Sequence, residues 1–379
     1  MKAVAVFPGT KEIKLIDHPR PAKPGATEVR VRMLEVGVCG TDREIAAFEH
    51  GTPPSESDYL VIGHESLGEV VEVGTDVSRV DVGDLVVVMV RRPCFHQDCL
   101  ACRSGRQDFC YTGDFTERGI KLAHGFMTET VVDDERYMNV VPHELREVGV
   151  LVEPLTIAEK ALAEVWQVQG RLPWGPRRPH DAQAGPRHRA VVLGAGPVGL
   201  LGAVALVAGG FQTWVYSREP ADGARARLVA SIGATYVSSL TASVDQLAEQ
   251  VGNIDLVYEA VGASRLAFDM MRVVGANGVF VFTGVPGRKG PIDVDTDLIM
   301  RNLVLRNQVV FGSVNAGRQA YEAAIRDLGR FMKRWPDAVR GLITGRFPIE
   351  AHRDRLLGRS DGIKSVIVIH EGPGVTSRE

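Results

Sequence analysis

Aromatic residues make up only 6% of this chain, and no apolar run approaches the roughly 20 residues of a membrane span. Neither sign of charge is in large excess. Lys and Arg number 44 against 47 Asp and Glu, a formal net charge of -3, so nothing global favours nucleic acid or a membrane surface as partner. Cysteine is scarce, with five in 379 residues; four fall between Cys94 and Cys110 and Cys39 stands alone. An odd, uneven set with no export signal points to metal binding rather than disulfides, and to a cytoplasmic protein. The opening Met1-Lys2-Ala3-Val4-Ala5-Val6-Phe7-Pro8 is too short for a signal peptide and reads as a first strand. With 45% hydrophobic and 24% charged residues the chain has an ordinary globular composition, and its length predicts two domains.

What is present is organised around Val191-Val192-Leu193-Gly194-Ala195-Gly196-Pro197-Val198-Gly199 and the apolar stretch 200–207 that follows. The spacing is G-x-G-x-x-G at a strand-to-helix turn, where a dinucleotide-binding unit requires it. Gly194 allows the tight turn, Gly196 lets backbone approach a pyrophosphate, and Gly199 lets helix and strand pack closely. The free N–H groups at the helix start face the phosphates. Taken alone, the motif also reads as an ordinary strand–turn–helix crossover. Further strands read at 213–216, 255–259 and 278–282, the last running into Thr283-Gly284, with helical stretches at 224–232 and 266–274. This alternation predicts an α/β, doubly wound Rossmann sheet covered on both faces. After the second strand stands Ser217-Arg218-Glu219. A small neutral residue followed by a cation suits the 2′-phosphate of NADP, with Glu219 a contrary charge.

Residues 1 to about 150 read differently. Alternation at 29–36, an apolar run ending in a turn at 67–74, and a turn followed by a buried run at 82–88 predict a compact barrel-like β domain. Two sets of metal-ligand chemistry lie in it. Cys39-Gly40-Thr41-Asp42 and Gly63-His64-Glu65 supply a thiolate, an imidazole and a carboxylate, a workable zinc set. Singly, Cys39 also reads as a small buried thiol and His64 as a core histidine. Cys94-x4-Cys99-x2-Cys102-x7-Cys110 matches a closed tetrahedral zinc site that holds a loop without a core of its own; two disulfides are the competing reading. His96, inside this lobe, reads as a solvated loop residue or a substitute ligand. Apolar spacing predicts a helix over 156–166, with Glu153 just before it, where the helix dipole favours a carboxylate. The Pro-, Gly- and Arg-rich stretch 170–189 reads as a solvated linker or a partner contact. Farther on, 318–334 reads as an amphipathic helix. The apolar run 362–369 reads as a strand that must return to the first domain to find a sheet.

Together these motifs resemble the zinc-dependent medium-chain dehydrogenases over nearly the whole chain. Within that family they are most similar to the glucose (aldose) 1-dehydrogenases, on Val90-Arg91-Arg92-Pro93-Cys94, Gly105-Arg106-Gln107-Asp108-Phe109-Cys110, Thr116-Glu117-Arg118-Gly119-Ile120, His124-Gly125-Phe126, Glu153-Pro154-Leu155-Thr156-x-x-Glu159-Lys160 and Gly312-x-Val314-Asn315. The resemblance implies a GroES-like, zinc-binding catalytic domain over 1–158 and 312–379, its structural zinc lobe at 94–110, and a Rossmann domain over 159–311. It implies a catalytic zinc near Cys39, His64 and Glu153, with Glu65 a ligand directly or through water, Thr41 in the proton-relay position, and Glu117 and Asn315 against sugar hydroxyls. Gly194, Gly196, Pro197, Val198, Gly199, Ser217, Arg218, Thr283 and Gly284 would hold NADP, in preference to NAD. The implied reaction is zinc-assisted hydride transfer from C1 of an aldose, glucose foremost, giving the lactone, in a homodimer or homotetramer without nucleic-acid or membrane partners. Ile157 stands where some glucose dehydrogenases carry an aspartate, and Leu305 where some carry a histidine. Both departures remove hydrogen-bonding capacity, so another aldose is open. A polyol, secondary alcohol or threonine as substrate, and a non-catalytic nucleotide-binding protein, are the alternatives.

Overall fold

The strand Glu28–Gly37 is the axis of the N-terminal half in the computed structural model, which describes residues 1–173, 188–287, 290–358 and 362–370. Val29, Val31 and Met33 alternate with half-buried partners, and from Leu34 onward both faces are covered. The first pattern is that of a sheet with one wet face, the second that of a strand buried on both. One edge pairs antiparallel with Glu65–Val73. The other pairs with Thr130–Asp134 along its first half and with Lys364–Val368 along its second. The sheet continues through Leu85–Val88 to Met138–Val141 on one side and to Ile343–Pro348 on the other. The apolar run near the C-terminus therefore returns to the first sheet. Two three-stranded sheets complete this half: Glu12–Asp17, Lys2–Phe7 and Leu60–Val61, and Arg91–Arg92, Thr116–Arg118 and Leu122–Ala123. Val4, Val31, Met33, Ile62, Phe126 and Ile367 are among its core residues.

By its internal contacts the chain falls into two units. The first holds Met1–Thr156, Asn315–Gly329 and the chain from Leu342 onward; the second holds Ile157–Val314 and Arg330–Gly341. The second is built on six parallel strands, ordered Thr235–Ser238, Gln212–Ser217, Arg189–Leu193, Leu256–Glu259, Val279–Phe282, Val309–Gly312. Counted within the unit this is 3-2-1-4-5-6, the doubly wound dinucleotide order, with its switch point between the first and fourth strands. Helix Pro197–Ala208 is apolar nearly all round and buried accordingly.

The helix expected over 156–166 runs Val152–Gln169, so Glu153 lies inside its first turn rather than before it. Pro154 is tolerated there because first-turn N–H groups have no intrahelical acceptor to lose. Helix Arg318–Arg334 buries Tyr321, Ala324, Leu328 and Phe331 on one stripe. Of the stretch 170–189, residues 174–187 lie outside the described residues. No described helix is long and apolar enough to cross a membrane.

Packing at the switch-point strand is tight. A Cβ at Gly202 would lie 2.4 Å from Cε1 of the fully buried Tyr258. Gly202→Ala is expected to destabilise the protein by about 1–3 kcal/mol through overpacking, despite alanine's better helix propensity. Urea unfolding checks this, and an unchanged midpoint would show that the ring yields.

Candidate active site

Cys39 caps the helix Gly40–Ala46. Asp42, in its first turn, reaches back: Oδ2 accepts from the Cys39 N–H at 2.8 Å, while Oδ1 accepts from the Gly63 N–H at 3.2 Å. One fully buried carboxylate thus fastens the two ligand motifs together. Thr41 sits half-buried between Cys39 and Asp42. His64 and Glu65 follow Gly63, and ligand atoms of Cys39, His64 and Glu65 all lie within 4.8 Å of one another. Tetrahedral zinc, with bonds of about 2.0–2.3 Å, requires only a modest further closing of such a set.

Glu153 stands outside this tight trio, yet it shares its electrostatics. Burial pushes its carboxyl up to about 7, the His64 ring opposing and Glu65 adding to the rise. Burial also disfavours a charged His64, but Asp42, with Oδ1 3.2 Å from Nδ1, overrides it and holds the ring's pKa well above the ordinary value. That contact lacks hydrogen-bond geometry, and Nδ1 is a buried atom without a hydrogen-bond partner among the described residues. From the C-terminal strand Lys364 places Nζ 2.7 and 2.6 Å from the two Glu65 oxygens and 3.3 Å from the Val38 carbonyl. Cys39, Asp42, Glu65 and Glu153 therefore bring four acidic groups around one imidazole and one lysine, largely out of water. Such an excess is costly without a cation, and a mixed S, N and O donor set suits zinc. The residues fit the metal.

Glu117 and Asn315, far apart in the chain, touch: Asn315 Nδ2 donates to Glu117 Oε1 at 2.8 Å. Asn315 has a φ of 59°, in the left-handed region that asparagine tolerates, and its Oδ1 accepts from the Ala316 N–H at 2.8 Å. The Glu117 strand approaches the Cys39, His64 and Glu65 cluster through Gly119. Its φ is +75°, and a Cβ there would lie 2.4 Å from the carbonyl oxygen of Gly63, the residue before His64.

The sulfurs of Cys94, Cys99, Cys102 and Cys110 lie within 4.8 Å of one another, and all four thiols are free. Cys99 and Cys110 sulfurs are 3.9 Å apart, well beyond a bonded pair at about 2.05 Å, so the thiols are not paired as disulfides and their four sulfurs fit a tetrahedral metal. Burial pushes Cys102 up to about 12. At Cys110 burial is outweighed by the Thr112 hydroxyl 3.3 Å away and by backbone donors, and the thiol comes down to about 6. His96 lies outside the cluster, its Nε2 2.5 Å from Asp114 Oδ2, with both side chains exposed.

In the second unit Gly194 turns the chain at φ +100°, and a Cβ there would meet Val261 at 2.5 Å, in the loop after the fourth strand. A Cβ at Gly199 would lie 2.2 Å from the Gly194 carbonyl oxygen. Gly196 caps Pro197–Ala208 with nothing within 4 Å of its missing Cβ, leaving backbone open to a ligand beside Pro197 and Val198. Ser217 ends its strand. Arg218 is exposed and without a partner among the described residues, whereas Glu219 pairs with Arg225. Thr283 Oγ1 donates to the Glu259 carbonyl at 2.7 Å, and the Gly284 N–H to Glu259 Oε2 at 3.2 Å. The other Glu259 oxygen accepts from Val261 and Gly262 N–H at 2.8 and 2.7 Å. This buried carboxylate ties together the loops that follow the fourth and fifth strands.

Asp42, Lys364 and Glu259 are the residues that sequence reasoning left without a role. Asp42 was visible inside its motif, and Lys364 as a lone lysine in the apolar run Ile363-Lys364-Ser365-Val366. Lys364→Met strands a buried carboxylate and is expected to cost about 3–5 kcal/mol of stability. The double variant Lys364→Met with Glu65→Gln should recover part of that loss in urea unfolding.

Residues 25–143 match the alcohol dehydrogenase GroES-like domain and residues 146–369 the glucose dehydrogenase C-terminus. Glucose 1-dehydrogenase of Methanocella arvoryzae is 39% identical over 97% of this chain and 99% of its own. A glucose 1-dehydrogenase of Caldivirga maquilingensis is 38% identical over 98% and 99%. The structure of Haloferax mediterranei glucose dehydrogenase in complex with NADP, Zn and gluconolactone matches with a TM-score of 0.86 at 32% identity, covering 98% of this chain and all of that one. On matches that run nearly end to end, this chain belongs to the glucose dehydrogenase family of zinc-dependent medium-chain dehydrogenases.

Proposed function

We propose that this protein oxidises an aldose, glucose foremost, at C1 to the aldonolactone, with NADP as the preferred hydride acceptor. The observation that carries the reading is the close grouping of Cys39, His64 and Glu65 ligand atoms in the same unit as the paired Glu117 and Asn315. Cys39, His64, Glu65 and Glu153 would hold a catalytic zinc, and Cys94, Cys99, Cys102 and Cys110 a structural one. When bound, the catalytic ion supplies Lewis acidity that lowers the pKa of a sugar hydroxyl, and the nicotinamide takes the hydride. Thr41, next to the ligand Cys39, passes the released proton toward solvent. Glu117 accepts from a sugar hydroxyl and Asn315 holds Glu117, so the sugar is oriented by fixed polar groups. Asp42 and Lys364 keep His64 and Glu65 in place.

Residues 159–311 bind the nucleotide, and 1–158 with 312–379 carry the chemistry. Gly194, Gly196, Pro197, Val198 and Gly199 lie against the pyrophosphate, Ser217 and Arg218 take the 2′-phosphate, and Thr283 and Gly284 line the nucleotide beyond the switch point. Exposed Met300, Val304 and Leu305, beside the edge strand Val309–Gly312, support a homodimer or homotetramer; light scattering would reveal a monomer. We place the protein in the cytoplasm, acting on small molecules and not on nucleic acid.

Turnover of an aldose panel with NADP and NAD tests the activity. Glucose with NADP should give the fastest turnover, and a zinc chelator should abolish it. No nicotinamide reduction with any aldose would end the reading, and faster turnover of xylitol or threonine would move it to another substrate class. Arg218→Ala should lower kcat/KM for NADP by about 10- to 100-fold, the worth of a charge-assisted contact, and leave NAD nearly unchanged. Equal losses with both nucleotides would remove Arg218 from phosphate recognition.

A further inference from the structure

Glu117 is held by more than Asn315. Arg91 and Glu117 face each other across the small sheet, and the buried Arg91 brings Nε and Nη2 each to 3.0 Å from Glu117 Oε1. With Asn315 Nδ2 at 2.8 Å, Oε1 accepts two hydrogen bonds and faces a third nitrogen, while Oε2 has no protein partner among the described residues. Oε2 is the oxygen left for a ligand hydroxyl.

Arg91 is gripped in turn by the four-cysteine lobe. Its Nη1 donates to the Asp108 carbonyl at 3.3 Å, Gln107 Nε2 donates to the Arg91 carbonyl at 3.4 Å, and the Arg91 guanidinium carbon lies 3.7 Å from the centre of the Phe115 ring. Gln107 and Asp108 are buried and lie between Cys102 and Cys110. The same Asp108 meets the turn that carries Asn315: a Cβ at Gly317 would lie 2.8 Å from Asp108 Oδ1. One end of the lobe therefore touches Glu117 through Arg91 and Asn315 through Gly317.

We propose that the four-cysteine lobe positions the Glu117–Asn315 pair for sugar binding, with Arg91 as the positioning residue that presents Glu117 Oε2. The inference rests on the sugar-site reading of Glu117. Only a planar fork can reach a carboxylate with two nitrogens, a backbone carbonyl with the third, and stack on a ring. A loosened carboxylate weakens the sugar's grip and leaves the nucleotide's untouched.

The test compares Arg91→Lys, Gly317→Ala and Glu117→Gln. Its readouts are KM for glucose and for NADP, gluconolactone affinity by calorimetry without nucleotide, and zinc per chain. Arg91→Lys and Gly317→Ala should each raise the glucose KM and the lactone Kd by about tenfold or more, with NADP KM and zinc content unchanged. Arg91→Lys added to Glu117→Gln should do little more harm than Glu117→Gln alone, because the two act through one contact. Sugar binding unchanged in Arg91→Lys and Gly317→Ala, but weakened in Glu117→Gln, overturns the positioning role alone. An unaffected Glu117→Gln overturns the sugar-site reading and this inference with it. If Arg91→Lys does not fold, Gly317→Ala decides.

Discussion

The ion pair between Glu65 and Lys364 sets the terms for the first unit. Both side chains are 1% exposed, and 299 residues separate them. Taking two charges out of water costs several kcal/mol per ion, and only close, fully bonded geometry offsets it. Here the geometry is close, with both carboxylate oxygens near the ammonium. The pair straddles the end of Glu28–Gly37, where Gly37 pairs with Glu65 on one edge and Val366 on the other. Closing the sheet with the C-terminal strand therefore does two things at once: it pairs the second half of the axial strand's edge, and it delivers a lysine to an acidic cluster.

That lysine is not enough. Asp42 is committed to two backbone N–H groups, Glu153 is driven toward its neutral form by burial, and His64 carries a buried nitrogen without a hydrogen bond among the described residues. A set so short of positive charge suits a bound cation, and the family to which the chain belongs is zinc-dependent.

Much of this was legible beforehand where a local pattern had one physical meaning. The glycine spacing at 194–199, the strand–helix alternation after it, the four-cysteine lobe and the helix 318–334 each follow from turn geometry, ligand chemistry or apolar period. What escaped notice was non-local. Lys364 looks like a solvated lysine until the sheet pairs its strand beside Glu28–Gly37. Glu259 ends an apolar strand, and only the neighbouring loops reveal three backbone N–H groups aimed at it. Glu12–Asp17, Thr130–Asp134 and Met138–Val141 are strands of mixed composition whose place is fixed by partners rather than by their own periodicity. The helix start at Val152 was obscured because Pro154 reads as a breaker, although first-turn geometry accepts it.

The end of the second strand shows how tertiary contact resolves a charge ambiguity. Ser217-Arg218-Glu219 presents one cation and one anion, and sequence alone cannot weigh them. In the fold Glu219 pairs with Arg225, the second residue of helix Ala224–Ser231, and the start of that helix adds its own preference for negative charge. A contact pair of opposite charges has little field beyond a Debye length of about 8 Å. Arg218 has no such partner among the described residues, so the field at this strand end is that of a lone guanidinium. Its fork geometry matches phosphate oxygens better than an ammonium would. The contrary charge is therefore removed from the comparison by its own salt bridge, and what remains at the strand end is positive.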